Sequence, residues 1–398
     1  MRKSAASILF LAIFIDLLGY GVVIPLLPNF ARELGASAQL IGVVVASYSV
    51  MQFLFSPILG SLSDRFGRRP VLLTTIAINA LGYVLFALAT SLPVLFAARV
   101  VAGIAAANLA VAQAYLTDVT PPAQRAKAFG MIGAATGLGF VFGPPLGGFI
   151  AANFGVPMVG YVLAGLCVVN LVLAFVRLPE TRKATTSAPA TRAFDLSSLR
   201  TVSALPALLR VFWVYFLFIA GFAVLNVVGA LLWLDRFGLS EAQVGYTFGM
   251  IGVIMAAVQG LIGRITARLG EKLTMTIGLA LMTLGLAAMP LVPPPLFVPL
   301  ELLVIAVFAV GYALVLPTGT ALVAIIVGDG PQGQVLGQYQ SVGALARIVG
   351  PLLGGVAYQV GQPVPFFAGA TLMALALAVA FGIGVGDTVR VEPVLTEQ

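Results

Sequence analysis

The chain has 398 residues, of which 60% are hydrophobic and only 9% charged, and its mean hydropathy is +1.09. A soluble globular domain carries about 25% charged residues, so the composition excludes that class and predicts an integral membrane protein. Histidine is absent, and any proton carrier within this chain must therefore be a carboxylate. The one cysteine, Cys167, excludes an internal disulfide.

The apolar runs predict an all-α membrane protein with twelve transmembrane helices. Crossing a hydrocarbon core of about 30 Å takes roughly 20 helical residues. A membrane β-barrel would instead show short alternating segments, which this sequence lacks. The predicted spans, numbered 1 to 12 in chain order, are 5–31, 39–61, 71–90, 92–116, 127–152, 157–177, 208–235, 241–263, 272–290, 296–323, 333–358 and 363–385.

The lysines and arginines predict which way the chain is threaded. They cluster in every second loop and in both terminal segments, while the other loops hold only Arg32 and Arg236. Because positively charged loops stay in the cytoplasm, we expect a multi-pass protein of the cell (inner) membrane with both termini cytoplasmic. This asymmetry also accounts for the net charge of +7, so no nucleic-acid partner is needed.

An internal repeat divides the spans into two sets of six. GSLSDRFGRR (60–69) aligns with GRITARLGEK (263–272), and GPPLGG (143–148) aligns with GPLLGG (350–355). The one long polar stretch lies between the two sets. We therefore expect an N-terminal six-helix bundle at 1–178, a cytoplasmic linker at 179–207 and a C-terminal six-helix bundle at 208–398, related by a pseudo-two-fold axis along the membrane normal.

Four stretches resemble the major facilitator superfamily, and within it the twelve-helix drug:proton antiporter branch that includes the tetracycline exporters. They are DLLGYGVVIPLLPNF (16–30), GSLSDRFGRRP (60–70), LFAARVVAGIAAANLAVAQAYLTD (95–118) and GLGFVFGPPLGG (137–148). The resemblance implies the major facilitator fold and transport by alternating access. It also implies a transporter, not an enzyme, with no cofactor beyond the proton gradient.

The loop after span 2 is a candidate cytoplasmic gate. The resemblance implies that Asp64 meets span 11, near Gly333, and closes the cytoplasmic side, while Asp118 and Arg125 complete the charge network. The alternative is that the loop's positive charge only fixes topology. The second repeat has Ala267 at the position of Asp64, so its latch is expected to be weaker. The predicted gate residues are Gly60, Asp64, Arg65, Gly67, Arg68, Arg69, Asp118 and Arg125.

Span 5 and span 11 share a stripe of small residues that predicts close helix packing. Prolines in both stripes remove amide donors and are expected to bend the helices. We expect matched seams between the two halves, while the resemblance implies that the bend also seals the path during antiport. The residues are Gly139, Gly143, Pro144 and Gly147 in span 5, and Gly350, Pro351 and Gly354 in span 11.

Four ionisable residues within spans form the predicted proton-coupling set: Asp16, Arg99, Glu301 and Arg347. A charge inside the membrane costs at least about 2.5 kcal/mol, so each needs a partner or a water-filled cavity. Asp16 and Arg99 lie at depths that permit contact. They are interpreted either as a static ion pair or, as the resemblance implies, as a proton carrier with its coupling arginine.

The other two intramembrane charges have less definite predicted roles. Glu301 is interpreted as a second proton carrier, as a counter-ion to a cationic substrate, or as a residue of the outer rim. Arg347 is interpreted as a structural pin or an anion contact.

Polar and aromatic residues within the spans predict a substrate cavity. Aromatic faces attract lipophilic cations, and a mostly apolar pocket suits drug-like molecules. The candidates are Tyr20, Asn29, Tyr48, Gln52, Asn108, Gln113, Asn226, Trp233, Tyr312, Gln338 and Tyr339.

The sequence therefore predicts a proton-coupled secondary exporter of lipophilic drugs, with cations among the candidate substrates, and thus a role in antibiotic resistance. The alternatives are a facilitator or proton symporter of a sugar or other metabolite, and a membrane sensor that does not transport. The expected partners are a small-molecule substrate, protons and membrane lipid, and the chain is expected to be a monomer. No metal-ligand cluster, catalytic triad or nucleotide-binding motif is present in the sequence.

Overall fold

The computed structural model describes residues 3–119, 125–181, 205–327 and 332–384, and within these ranges the regular structure is entirely helical. Twelve segments are long and apolar enough to cross a membrane, which confirms the predicted count. The middle part of the expected linker, 182–204, and the side chain of Arg125 lie outside what the structure describes. The predicted domain boundaries stay predictions.

The described residues of the first half form seven helices, because span 4 is broken. They are α1 (Lys3–Glu33), α2 (Ala38–Phe66), α3 (Arg68–Ala87), α4 (Leu92–Ala106), α5 (Asn108–Val119), α6 (Arg125–Phe154) and α7 (Val156–Arg177). The second half contains α8 (Pro206–Phe237), α9 (Glu241–Leu269), α10 (Glu271–Ala288), α11 (Leu302–Val327), α12 (Gln332–Val360) and α13 (Val364–Phe381).

Glycines make the tight turns that separate neighbouring helices. Gly67 has φ +101° between α2 and α3, and Gly270 has φ +75° between α9 and α10. These two residues occupy matching positions in the sequence repeat. A side chain at positive φ is strained, so the repeat preserves the one residue type that allows two long helices to meet at a single position.

The chain forms two compact units. Unit 1 comprises the described residues of Met1–Ala193 together with Asn226–Val253 and Pro351–Gln359, and unit 2 comprises those of Phe194–Leu225, Ile254–Gly350 and Val360–Gln398. A buried apolar core in unit 1 joins α1, α2, α3, α5 and α7, with Leu9, Ile76, Val111 and Tyr115 each no more than 1% exposed. For orientation within unit 1, we call the two ends of α1 the Lys3 end and the Glu33 end.

Candidate functional site

Asp16 lies inside unit 1 and is held by two asparagines from neighbouring helices. Its Oδ1 accepts a hydrogen bond from Asn79 Nδ2 of α3 at 2.7 Å, and its Oδ2 accepts one from Asn108 Nδ2 of α5 at 2.5 Å. Both asparagines are buried. The carboxylate is therefore surrounded by neutral donors. Of these two donors, Asn108 was predicted as a cavity residue and Asn79 was not singled out.

A break in the fourth span brings Asn108 to the carboxylate. Helix α4 ends at Ala106, α5 begins at Asn108, and the Ala106 carbonyl accepts a hydrogen bond from Gln52 Nε2 at 3.3 Å. The break places the first turn of α5 beside Asp16. The positive end of a helix dipole favours a nearby anion by about 0.3–1 kcal/mol. Gln52, also predicted as a cavity residue, thus contacts backbone at the break.

Arg99 does not pair with Asp16, so the expected ion pair is wrong. Both residues are described, yet no salt bridge within 4.0 Å joins them. Arg99 is 3% exposed and its guanidinium lies 4.5 Å from the centre of the Tyr48 ring, which in turn lies 5.2 Å from the Tyr20 ring. Among the described residues, its Nε and Nη2 have no hydrogen-bond partner. The guanidinium of Arg99 therefore contacts the ring face of Tyr48, whereas the sequence favoured the Asp16 carboxylate as its partner.

Glu301 and Arg347 lie in unit 2. Glu301 is fully buried in the helical turn Phe297–Glu301 that leads into α11, and its role as a second carrier, a counter-ion or a residue of the outer rim stays a prediction. Arg347 of α12 lies close enough to the Tyr215 side chain of α8 to interact with it electrostatically. The structure therefore connects Arg347 to an aromatic residue of its own unit.

Tyr215 belongs to an aromatic cluster of unit 2 formed by Phe212, Tyr215, Phe218, Phe222, Tyr312 and Tyr339. Tyr215 stacks on Tyr339 with 3.8 Å between ring centres, and Tyr312 lies 4.3 Å from Phe222. Two predicted cavity residues, Tyr312 and Tyr339, are thus joined through aromatic neighbours. Gln338, next to Tyr339, is half-buried, and neither its amide oxygen nor its amide nitrogen has a partner within the described ranges.

Three further predicted cavity residues lie on α5 and α8. Trp233 is fully buried against Phe248, with 5.1 Å between ring centres, and Asn226 is buried on α8. Gln113 is half-buried on α5. Their role in a cavity stays a prediction.

The predicted gate residues form a charge network at the Lys3 end of unit 1. Buried Arg68 pairs with Asp64 at 2.7 Å and with Asp118 at 3.0 Å, and it donates to Ser63 Oγ at 2.5 Å. Glu180, which sequence reasoning missed, accepts the backbone N–H groups of Arg68 at 2.9 Å and Arg69 at 3.1 Å. Its carboxylate caps the first turn of α3, where free amides and the helix dipole favour an anion.

The other gate residues have separate roles. Gly67 needs its positive φ, and a Cβ there would also lie 2.6 Å from Glu180 Oε2, whereas a Cβ at Gly60 would meet nothing within 4 Å. Arg69 donates to the Phe175 carbonyl at 2.6 Å, and Arg65 lies over the Phe66 ring. The contact of Asp64 with the start of α12, implied by the resemblance, stays a prediction.

The glycines of the span 5 stripe pack within the first half, whereas Pro144 of the same stripe contacts the second half, because a Cβ at Gly245 of α9 would lie 2.5 Å from the Pro144 carbonyl oxygen. The predicted matching of the two seams stays a prediction. A Cβ at Gly143 would lie 2.9 Å from the Gly21 carbonyl carbon, and one at Gly147 would lie 2.8 Å from the Val22 oxygen; Gly139 meets the same helix at Leu17. These glycines therefore let α6 lie directly against α1. The matching Gly350 of α12 packs on Ala220 and Ala223 of α8.

The residues beside these stripes make the contacts that join sequence halves at the Glu33 end of unit 1. Next to Pro144, a Cβ at Gly148 would lie 2.7 Å from the Glu241 carbonyl oxygen of α9. Next to buried Gly354, a Cβ at Gly355 would lie 3.2 Å from Gly42 Cα of α2, and Pro351 is in contact with the same glycine. Backbone therefore meets backbone at both places.

A polar network that sequence reasoning missed covers this end. Arg32 binds both oxygens of Asp235, at 2.6 and 2.7 Å, and Tyr358 donates to the same carboxylate at 3.1 Å. Asn29, predicted as a cavity residue, instead donates to Glu241 at 2.9 Å and to Glu33 at 2.9 Å. The sequence signal was the pair of adjacent opposite charges at each of these two loops, Arg32 with Glu33 and Asp235 with Arg236.

Comparison with known proteins places these features in a family. The sequence model of the Major Facilitator Superfamily matches residues 9–351 and 211–395. The chain belongs to the major facilitator superfamily. It is 34% identical to the class C tetracycline resistance protein of Escherichia coli over 365 residues, which is 89% of each chain. It is also 29% identical to multidrug resistance protein 2 of Bacillus subtilis, covering 92% of each chain.

Solved structures of the superfamily agree with the fold. The human organic anion transporter MFSD10 is 26% identical to this chain in sequence. Its crystal structure superposes with a TM-score of 0.69, covering 95% of this chain and 99% of that one. A bacterial homologue of the human lysosomal transporter Spinster superposes with a TM-score of 0.78 at 15% identity, which shows the fold alone. The chain is a multi-pass membrane transporter of the superfamily with homology to tetracycline efflux proteins, and the predictions of family and fold are confirmed.

Proposed function

We propose that this superfamily member is a proton-coupled exporter of lipophilic small molecules that works by alternating access, with Asp16 as its main proton carrier. It resides in the cell (inner) membrane, with both termini and the Lys3 end of unit 1 on the cytoplasmic side. The proton gradient supplies the energy. The observation that carries the proposal is that buried Asp16 is held by two amides and not by an arginine.

The magnitudes favour a carboxylate that changes protonation state. Placing an ionised aspartate in the middle of a membrane helix costs about 2.5–3.5 kcal/mol on insertion scales. Each hydrogen bond to a charged acceptor contributes about 1.5–3 kcal/mol, so two bonds offset about 3–6 kcal/mol. The cost of burying the ionised carboxylate and the gain from its two hydrogen bonds are therefore of similar size. A fixed Arg99 pair would instead hold the carboxylate ionised.

The amides suit both protonation states. An asparagine amide presents two N–H donors on one side and a carbonyl acceptor on the other. Asn79 and Asn108 donate to the anion, and rotation of either amide lets its oxygen accept the proton of the acid form. In the transport cycle, protonation from outside favours return of the empty carrier, and substrate binding favours proton release on the cytoplasmic side.

Aromatic residues are the proposed substrate contacts. They lie in unit 2, in the cluster around Tyr215, Tyr312 and Tyr339. Stacked and tilted rings bind flat lipophilic molecules through area and quadrupole contacts. Glu301, fully buried in unit 2, is the proposed second carrier.

Gradient-driven transport in proteoliposomes tests this proposal. The full chain is reconstituted, the lumen is made acidic, and accumulation of tetracycline and of tetraphenylphosphonium is measured. Asp16→Asn is expected to reduce accumulation at least about ten-fold while leaving counterflow of the same probes intact, because exchange without a gradient needs no proton transfer. Glu271→Gln, which alters a carboxylate outside both proposed carriers, is the matched control.

Two results would contradict the proposal. Asp16→Asn protein that still accumulates probe against its gradient excludes Asp16 as the carrier. Wild-type transport that is unaffected when the proton gradient is collapsed favours a facilitator.

A second candidate function is export of amphipathic anions. Arg99 already occupies a face of Tyr48, and its Nε and Nη2 have no partner in the described structure, so the aromatic pair of unit 1 presents positive charge. A relative of the same family is named as an organic anion transporter. Competition of tetracycline counterflow by matched lipophilic anions and cations separates the two candidates.

A further inference from the structure

A small cavity lies inside unit 1 between α1, α3, α5 and α7. Asp16 and Asn108 form one part of its wall, and Leu9, Leu72 and Leu178 line it toward the Lys3 end. Its volume is about 10 Å³, which is room for about one water molecule. From Leu9 to Asp16 it follows seven residues of α1, roughly 10 Å at 1.5 Å per residue.

Small side chains make this cavity. Ala12 of α1, Ala112 of α5 and Ala174 of α7 line it, and each is at most 6% exposed. Protein interiors are otherwise packed to crystal-like density. Three helices thus each contribute an alanine to the wall of the cavity, which Asp16 also lines.

Asn170 provides a second observation that points to water. It is fully buried on α7, and both its amide oxygen and its amide nitrogen lack a hydrogen-bond partner in the part of the chain that is described. It lies one helical turn before Ala174 and on the same face. Cys167, also on α7, lies within electrostatic range of Asp16. An unsatisfied buried amide costs about 1–3 kcal/mol, a cost that bridging water removes.

At the Lys3 end of unit 1, the cavity approaches the charge network around Arg68. Leu178 lines the cavity, and the next carbonyl, that of Pro179, accepts a hydrogen bond from buried Tyr115 at 2.9 Å. Glu180 then caps α3 beside Arg68, which pairs with Asp118. Leu9, Leu72 and Leu178 therefore separate a polar interior from a polar surface.

We propose that the proton carried by Asp16 passes to and from the Lys3 end through the interior of unit 1, between α1, α3, α5 and α7, and not through the cavity that takes the substrate. The inference rests on the proposed role of Asp16. Deprotonation transfers the proton from the carboxyl oxygen to water in the cavity, and the resulting hydronium releases it to water at the surface beside Glu180 and Asp118.

The apolar constriction makes this path conditional. A hydrogen-bonded chain across roughly 10 Å takes about four waters at about 2.8 Å each, whereas the cavity holds about one. Water must therefore enter the space between Leu9, Leu72 and Leu178 before a proton can cross. Hydrophobic constrictions gate channels in the same way. Other titratable groups near Asp16 are Tyr83 of α3 and Cys167 of α7, and Tyr83 also interacts with Arg99 of α4.

Infrared spectroscopy of the full chain in proteoliposomes tests the route without a substrate. Difference spectra between acidic and alkaline media identify the Asp16 carboxyl band as the one lost in Asp16→Asn. The rate of its deuterium exchange is then compared among variants. Ala174→Leu fills the cavity and is expected to slow exchange at least about ten-fold. Leu178→Ala widens the constriction and is expected to accelerate it.

Ala77→Leu is the matched control, because it makes the same change at an exposed position of α3. Equal exchange rates in Ala174→Leu, Leu178→Ala and the control would overturn the route while leaving Asp16 as a carrier. If Ala174→Leu does not fold, the acceleration in Leu178→Ala alone decides. Absence of any Asp16-dependent band that titrates would refute the proposed function, and the route with it.

Discussion

Gly148→Ala is expected to separate α6 from α9 at the Glu33 end of unit 1. A Cβ at this position lies 2.7 Å from the Glu241 carbonyl oxygen and 3.1 Å from the Cα atoms of Ala242 and Gly245. Ordinary contact begins at 3.4 Å, so the shortest of these requires a displacement of 3.4 − 2.7 = 0.7 Å. All three atoms are backbone, and no side-chain rotation relieves the contact.

Overpacking of this kind costs about 1–3 kcal/mol. That cost lowers the ratio of packed to separated arrangements at this contact about 5- to 150-fold. The measurement is cross-linking by a short bifunctional thiol reagent between cysteines at positions 29 and 241, introduced as Asn29→Cys and Glu241→Cys in a Cys167→Ser background. The two native side chains are 2.9 Å apart, and Gly148→Ala is expected to slow their cross-linking by up to that factor.

Gly137→Ala provides the control on the same helix, because a Cβ there would meet nothing within 4 Å. Equal cross-linking rates in the two alanine variants would refute the reasoning. A slow rate in both would point to general damage to α6 and not to the contact with α9.

Two further changes test individual contacts. Asn79→Leu removes one of the two hydrogen-bond donors to Asp16, and a bond to a charged group contributes about 1.5–3 kcal/mol. This variant is expected to reduce gradient-driven tetracycline accumulation at least about ten-fold while counterflow is preserved. Loss of both activities together would indicate misfolding instead. Glu180→Ala removes the cap of α3 and is expected to lower stability by about 0.5–2 kcal/mol, measured as a lower thermal unfolding midpoint, while exposed Arg177→Ala leaves the midpoint unchanged. A Glu180→Ala midpoint equal to that of the wild type would exclude the capping role.

Hydropathy was sufficient to predict the helices, because each crossing of a membrane requires a long apolar run whatever its neighbours are. The repeat also carried local structure. Gly67 and Gly270 were aligned from sequence, and both have positive φ between directly adjoining helices. The positions of the helices and of these turn glycines each depend on a single segment of the chain, and they were therefore predictable from the sequence.

Partners across helices were not predictable. Position along α1 gave the depth of Asp16 but not its rotation, and opposite charge made Arg99 the obvious partner. The actual donors, Asn79 and Asn108, are neutral amides on helices remote in sequence. Asn29 was assigned to a cavity because it is polar within a span, although it lies one turn from the end of α1, where Glu33 and Glu241 take its hydrogen bonds.

The distribution of these contacts between the units bears on how such a transporter diversifies. Every hydrogen bond described at Asp16 comes from α3 and α5 of unit 1, whereas the rings around Tyr215 and Tyr339 all belong to unit 2. Mutations that reshape the aromatic cluster leave the surroundings of the proposed carrier unchanged. Under the proposed function, substitutions among the rings of unit 2 can change substrate preference while the proposed carrier keeps its hydrogen bonds.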